Sequence, residues 1–117
     1  MMCSSYFLEK QYSPSVRKAI LLIGADLSAD LSLHTLAEAL TLSPAYFSDL
    51  FRRETGQTLT HYINEQRMLL ADELLDSTAL QIQTIAQHCG VLDVQYFSKL
   101  FKKHIGMTPK EYRKRSR

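Results

Sequence analysis

The chain has little of what builds disulfide scaffolds, membrane spans or loop-rich folds. Its 117 residues include two cysteines, four glycines, three prolines and no tryptophan. Cys3 and Cys89 supply no disulfide framework, which suits a reducing compartment. No apolar run approaches the roughly 20 residues that a membrane-spanning helix needs. Residues 1–10 also lack the basic-then-apolar order of a secretion signal. We therefore expect a compact cytoplasmic protein.

Patterns typical of enzymes and metal sites are missing as well. The sequence has no glycine-rich phosphate loop, no nucleophile paired with a base and no pair of acids in matching contexts. The histidines are too scattered for a metal site, and they are His34, His61, His88 and His104. Cys89 lies among apolar residues and is predicted to be a small core residue. We therefore predict no enzyme, no cofactor and no metal.

The most informative feature that is present is an internal repeat. Residues 46–62 and 96–112 share eight identical residues at an offset of 50, in the order Tyr, Phe, Ser, Leu, Phe, Gly, Thr, Tyr. The basic pair Arg52 and Arg53 corresponds to Lys102 and Lys103. A fixed internal period indicates a duplicated structural unit.

Each copy begins with a predicted amphipathic helix, because successive helical residues lie about 100° apart around the axis. The core-facing side is apolar and contains Tyr46, Phe47, Leu50 and Phe51 in the first copy, and Phe97, Leu100 and Phe101 in the second. The outer side is small, polar and mostly basic, with Ala45, Ser48, Asp49, Arg52 and Arg53 in the first copy, and Gln95, Ser98, Lys99, Lys102 and Lys103 in the second. A single such helix is as typical of an ordinary surface helix as of a binding helix, so it is the presence of two copies, each preceded by a similar helix, that favours a binding function.

Each copy is preceded by another short helix, and a tight turn joins the two. Ser32 can cap the first of these helices, and Ser43 with Pro44 opens the next helix within three residues. In the second copy, Gly90 allows the sharp turn and Asp93 caps the helix that follows. The apolar stripes are Leu33, Leu36, Ala37 and Leu40, and then Ile82, Ile85, Ala86 and Cys89. The sequence therefore predicts two helix-turn-helix units, at residues 32–55 and 81–105.

The remaining segments complete an all-α chain of about seven helices. Ser13 and Pro14 begin a first helix that should end at Gly24, and residues 1–12 are interpreted as a linker or expression remnant. A long helix at 58–76 joins the two units, and Thr108 to Glu111 form a capping box for a last helix at 108–116. The joining helix would be about 27 Å long. Two helices that enter neighbouring major-groove segments lie about 34 Å apart, so this rod could hold their separation.

Charge is distributed unevenly along the chain. The net charge is +2, but residues 93–117 carry eight Lys or Arg against Asp93 and Glu111, for a net charge of +6. The first 92 residues therefore carry −4. A basic C-terminal quarter favours a polyanionic partner, although basic residues at a terminus are equally typical of a solvated tail.

With both units and the joining helix identified, the chain resembles the DNA-binding domain of the AraC/XylS family of bacterial transcription regulators. The resemblance covers about residues 13–113, and its most specific part is the second unit. There the family's spacing is matched by Ile82, Ile85, Ala86, Gly90, Asp93, Tyr96, Phe97, Ser98, Phe101, Lys102, Lys103, Gly106, Thr108, Pro109, Tyr112 and Arg113. A looser match in the first half includes Leu36, Ala37, Ser43, Tyr46, Phe47, Gly56, Tyr62, Arg67 and Leu74.

The resemblance implies sequence-specific binding to double-stranded promoter DNA, with the third and sixth helices in successive major grooves. The implied base-facing residues are Ala45, Ser48, Asp49, Val94, Gln95, Ser98 and Lys99. Phosphate contacts are assigned to Arg52, Arg53, Lys102 and Lys103. The resemblance also leaves RNA polymerase as a candidate second partner. The isolated domain is expected to be a monomer, whereas a full-length regulator could be either a monomer or a dimer.

The alternative function is a helical protein-interaction module that does not bind DNA. Aromatic stripes would serve such a module equally well, because helical repeats bury the same residues. An interaction surface should however be apolar, and the outer faces here carry Ser, Gln, Lys and Arg. The polar outer faces therefore favour DNA.

Overall fold

The computed structural model describes residues 12–116, and every regular element in this part of the chain is an α-helix. The seven helices are α1 (Pro14–Ala25), α2 (Leu33–Ala39), α3 (Pro44–Thr55), α4 (Leu59–Ser77), α5 (Ile82–His88), α6 (Val94–Ile105) and α7 (Pro109–Ser116). Helices α2 and α3 form one helix-turn-helix, α5 and α6 form another, and α4 is the long helix between them. The predicted fold class is therefore confirmed. Each helix between residues 12 and 116 is too short or too polar to span a lipid bilayer.

The helices belong to two compact units. The first unit contains the described residues up to Asp26 together with Asp30–Tyr62. The second unit contains Leu27–Ala29 and the described chain from Ile63 onwards. The division lies within α4, whose first turn belongs to the first unit. Most of the segment predicted to be a linker, and Cys3 with it, lies outside the described residues.

The first unit buries one apolar face of each of its helices. Ser13 caps α1, as predicted, by accepting a hydrogen bond from the backbone N–H of Val16. Helix α1 continues past Gly24 to Ala25, so the predicted end at Gly24 was wrong. Glycine weakens a helix without forbidding it, and here the backbone leaves the helix only at Asp26. The buried apolar residues are Val16, Ala19, Ile23, Leu31, Leu36, Ala37, Leu40, Phe47, Leu50, Phe51 and Leu59.

The second unit has its own core around α6. Its fully buried residues include Phe97 and Phe101, and Tyr112 from α7 packs edge-on against Phe101 at a ring-centroid distance of 5.7 Å. The first unit repeats this contact, because Tyr62 packs edge-on against Phe51 at 5.4 Å. Cys89 is fully buried, and this burial raises the pKa of its thiol to about 12. The prediction that Cys89 is a core residue is confirmed.

Two arginines hold irregular backbone within the second unit. The Arg67 guanidinium donates to the carbonyls of Leu27 and Ala29, at 3.0 and 3.2 Å. The Arg113 guanidinium donates to the carbonyl of Thr78 at 3.1 Å and also to that of Leu80. Carbonyl groups in loops lack helical partners, so these charged donors satisfy groups that would otherwise weaken the fold.

Candidate nucleic-acid interface

The recognition helices, α3 and α6, each begin at a polar cap. Ser43 Oγ accepts from the backbone N–H of Tyr46 at 3.2 Å. Asp93 Oδ1 accepts from the N–H groups of Gln95 and Tyr96, at 2.9 and 3.3 Å. Both predicted caps are confirmed. A cap satisfies amide donors that have no partner in the first helical turn and thus fixes where each recognition helix starts.

The preceding helix ends in the same hydrogen-bonded turn in both units. The N–H of Leu42 donates to the carbonyl of Ala37, and the N–H of Val91 donates to that of Ala86, both at 2.9 Å. These two alanines are fully buried, as expected where two helices cross closely. A left-handed residue makes the turn in each case. It is Thr41 (φ 56°) in the first unit and Gly90 (φ 80°) in the second.

The second turn contains one more residue than the first. Leu42 directly precedes the cap Ser43, whereas Leu92 stands between Val91 and the cap Asp93. Leu92 is 82% exposed, more than any other large hydrophobic residue in the described chain. The inserted side chain therefore adds nothing to the core and lies on the surface just before α6.

The predicted base and phosphate residues lie on the outer faces of α3 and α6, opposite the buried phenylalanines. Eight of them are exposed, namely Ala45, Asp49, Arg52, Arg53, Gln95, Lys99, Lys102 and Lys103. The other three, Ser48, Val94 and Ser98, are partly buried at the edges of these faces. Each recognition helix thus brings its own predicted set together on one surface. A cationic surface of this kind suits the phosphates of a nucleic acid.

The basic residues also lie where a helix favours positive charge. Arg52 and Arg53 are in the last turn of α3, and Lys102 and Lys103 are in the last turn of α6. Unpaired carbonyls make this end of a helix partially negative, so cations stabilise it. Both helices then stop at a left-handed glycine, Gly56 or Gly106, as the sequence predicts.

One residue was assigned to the wrong side. Tyr46 was predicted to face the core but is 50% exposed, and its counterpart Tyr96 is 52% exposed. The reason is angular, because Tyr46 lies about 100° from Phe47 around the helix, at the boundary of the apolar arc. It also lies in the first turn. Sequence analysis therefore missed two exposed tyrosines on the recognition helices, because a helical wheel does not separate a buried ring from an exposed one at this boundary.

An ion pair on α3 was also missed. Arg53 Nε lies 2.8 Å from Asp49 Oδ2, and the two side chains are 59% and 66% exposed. The signal was present, since opposite charges four residues apart meet on a helix surface. The equivalent residues of α6 are Lys99 and Lys103, which cannot pair.

These elements define a class of protein built from two helix-turn-helix units, each with an exposed, mainly basic recognition helix. A family model described as a helix-turn-helix domain matches residues 36–115. The C-terminal domain of AraT, a response regulator from Geobacillus stearothermophilus, has a TM-score of 0.87 and is 40% identical, over 90% of this chain and 88% of that one. The chain belongs to the AraC-type helix-turn-helix family.

Two relatives of similar sequence, PocR and RhaR, are considerably longer than this chain. The regulatory protein PocR of Salmonella typhimurium is 38% identical over 102 residues, which is 87% of this chain and 34% of PocR. The HTH-type transcriptional activator RhaR of Enterobacter sp. is 35% identical over 100 residues, which is 86% of this chain and 36% of RhaR. The chain thus spans about a third of the length of these relatives.

A further structure has the same fold and contains nucleic acid. The DNA-binding domain of AdpA, in complex with a target DNA, has a TM-score of 0.83. It is 24% identical, over 88% of this chain and 93% of that one. At this identity the likeness concerns the fold alone.

Proposed function

We propose that this chain binds double-stranded DNA sequence-specifically in promoter regions and so regulates bacterial transcription. The observation that carries the proposal is the duplicated recognition helix, capped after a tight turn and exposing a polar, mainly basic face in both units. Membership of the AraC-type family supports it, as do the regulatory names of PocR and RhaR. The polar faces favour this function over a protein-interaction module.

The outer faces supply the two kinds of contact that specific binding needs. Base edges would be contacted by Ala45, Ser48, Asp49, Val94, Gln95, Ser98 and Lys99, and phosphates by Arg52, Arg53, Lys102 and Lys103. Gln95 can make a bidentate contact with adenine, and Lys99 can donate to O6 and N7 of guanine. In this proposal α3 and α6 enter successive major-groove segments, and α4 is the chain segment that connects the two helix-turn-helix units.

The rest of the proposed function follows from that role. The chain acts in the cytoplasm as a binding domain without catalytic activity, and as an isolated domain it is a monomer. RNA polymerase is the natural protein partner of a promoter-bound regulator, and a longer protein that contains this domain could dimerise through its other parts. The proposed domain comprises residues 13–117.

Substitutions in the second unit test the division between base and phosphate contacts. The 117-residue chain would first select duplexes from a random pool, and Gln95→Ala and Lys102→Ala would then be titrated on selected and scrambled duplexes. Gln95→Ala should relax the preference at one base pair, by about 1–3 kcal/mol of discrimination. Lys102→Ala should weaken binding to both duplexes alike and make its salt dependence shallower by about one phosphate contact. Equal losses on both duplexes for Gln95→Ala would remove Gln95 from the base contacts.

A salt titration separates this function from the alternative. Binding through phosphates releases counterions, so the affinity for any duplex should fall steeply as salt rises. A protein-interaction module would show no duplex binding even at low salt. That result would contradict the proposal directly.

A further inference from the structure

The inference concerns the ion pair between Asp49 and Arg53, and it depends on the proposed function. The pair uses one oxygen of the carboxylate, Oδ2, and one nitrogen of the guanidinium, Nε. The bond therefore does not use Asp49 Oδ1 or the two Nη groups of Arg53. Both side chains are more than half exposed on the outer face of α3. The pair thus presents a hydrogen-bond acceptor, Asp49 Oδ1, beside the two Nη donor groups of Arg53.

The direction of the bond brings the arginine towards the part of the helix that contacts bases. Asp49 precedes Arg53 by one helical turn, and the bond draws the guanidinium back towards the N-terminus of α3. Residues in the N-terminal part of a recognition helix contact base edges. An arginine held there is differently placed from one that extends past the last turn to a phosphate.

The matching positions of α6 show that the fold does not require this pair. Lys99 and Lys103 occupy them, and two ammonium groups offer donors only. At the same two positions the first unit therefore has a net charge of zero and the second has +2. Two cations favour any duplex, whereas an acid that faces phosphates is favourable only when it meets a donor.

We propose that Asp49 and Arg53 act together as a specificity-determining pair that reads one C·G base pair in the major groove. Asp49 Oδ1 accepts from the N4 amino group of cytosine, which is the donor that this base presents. Arg53 donates through its Nη groups to O6 and N7 of the paired guanine. The Nε–Oδ2 bond holds the acceptor and the donors side by side, in the order in which a C·G pair displays its donor and acceptors. Arg53 is accordingly a base contact in this inference and not a phosphate contact.

Two substitutions in the full chain test the pair, with a matched control from the second unit. The wild-type chain, Asp49→Asn, Arg53→Lys and the control Lys103→Gln would each select from the same random duplex pool. Their dissociation constants would then be measured on the wild-type duplex and on one with the C·G pair replaced by A·T. All three positions are exposed, so thermal unfolding should give wild-type midpoints and show that each variant is folded.

Each variant has a distinct expected result. Asp49→Asn should change the selected pair from C·G to A·T, because an amide pairs with N6 and N7 of adenine. Arg53→Lys keeps the positive charge but loses the planar fork, so discrimination between the two duplexes should fall about fivefold or more. Lys103→Gln should weaken binding to both duplexes alike and leave the selected sequence unchanged.

Other outcomes would overturn the inference. If Asp49→Asn tightens binding to both duplexes equally and selects the wild-type sequence, Asp49 is only a source of repulsion. If Arg53→Lys keeps full discrimination, Arg53 contacts phosphates alone. Either result leaves the proposed function intact, since the wild-type chain still selects a sequence. A wild-type chain that enriches no sequence would instead contradict the proposed function itself, and the inference with it.

Discussion

The two helix-turn-helix units differ most at exposed positions, which contribute least to the stability of the fold. Their buried positions match closely, since Phe47 and Phe51 are repeated as Phe97 and Phe101, all fully buried. Their outer faces diverge, because Asp49 is replaced by Lys99 and the ion pair on α3 has no equivalent on α6. Core packing tolerates few changes of shape, whereas an exposed face can vary at little cost in stability. The duplication thus kept a scaffold and changed the chemistry that it presents.

The turns before the recognition helices show a second difference. Both need a left-handed residue, but only Gly90 adopts that conformation without a steric cost. Thr41 is β-branched, and such residues rarely have positive φ. Its backbone is constrained by the hydrogen bond from Leu42 to Ala37, which closes the turn. The first unit therefore tolerates strain that the second avoids.

The largest expected effect comes from filling the space at Gly90. A Cβ at this position would lie 2.5 Å from the carbonyl oxygen of Leu27 and 3.0 Å from Nη2 of Arg67. Gly90→Ala should therefore lower the free energy of unfolding by about 3 kcal/mol or more, from backbone strain and a clash together. Urea denaturation measures this loss.

Gly56→Ala is the matched control for that substitution. Gly56 also has a φ of 80°, but a Cβ there would meet nothing within 4 Å. It should cost only the left-handed strain, about 1–2 kcal/mol. Equal losses for the two variants would show that the carbonyl of Leu27 yields to the added methyl group.

The next prediction tests the difference in charge between the recognition helices. Lys99→Ala should weaken binding to a mixed-sequence duplex by about 1–2 kcal/mol at low salt, since it removes a cation from a face that carries no acid beside it. Arg53→Ala should cost less, because Arg53 already pairs with Asp49. Fluorescence anisotropy on one labelled duplex compares the two variants. A larger loss from Arg53→Ala would mean that the first unit dominates affinity.

Much of the fold could be predicted because its signals are local. Apolar spacing gives each helix its buried face, and Ser43, Asp93 and Gly106 mark helix ends through hydrogen bonds or dihedral angles within a few residues. The duplication then identifies the two units. The predicted base and phosphate residues lie on the expected outer faces, and their roles stay predictions.

The features that could not be predicted depend on contacts between residues distant in sequence, or concern a residue at the boundary between the apolar and polar faces of a helix. Arg67 reaches the carbonyl of Leu27, 40 residues away, and no spacing rule connects them. Thr41 takes a conformation that its own preferences oppose, because the helix crossing requires the turn. Tyr46 lies where a helical wheel cannot separate a buried ring from an exposed one. In each case the tertiary environment overrides a local preference.

A smaller effect should follow from relieving the strained turn of the first unit. Thr41→Gly removes a left-handed β-branched residue at a cost in backbone entropy, so the free energy of unfolding should rise by about 0.5–1 kcal/mol. Urea denaturation with an unchanged m-value would measure the gain. A loss of stability would mean that the Thr41 hydroxyl, which donates to the carbonyl of Leu40, outweighs the strain.

The smallest effect separates the caps that follow the two recognition helices. Thr58 and Thr108 both cap the next helix, but only Thr108 has a carboxylate partner, since Glu111 Oε1 accepts from its backbone N–H at 2.9 Å. That hydrogen bond lowers the pKa of Glu111 below its usual 4.5. A depressed carboxyl pKa stabilises the fold above the usual value, and this contribution is lost as the pH falls through the folded pKa.

Glu111→Gln tests that contribution, because the amide oxygen can still accept the bond but does not titrate. The melting temperature of the wild-type chain should therefore fall more than that of the variant as the pH is lowered from 4.5. The residue equivalent to Glu111 in the first unit is His61, so the cap at Thr58 has no such carboxylate. Parallel melting curves for the two proteins across this pH range would show that the negative charge of Glu111 adds no stability to this cap.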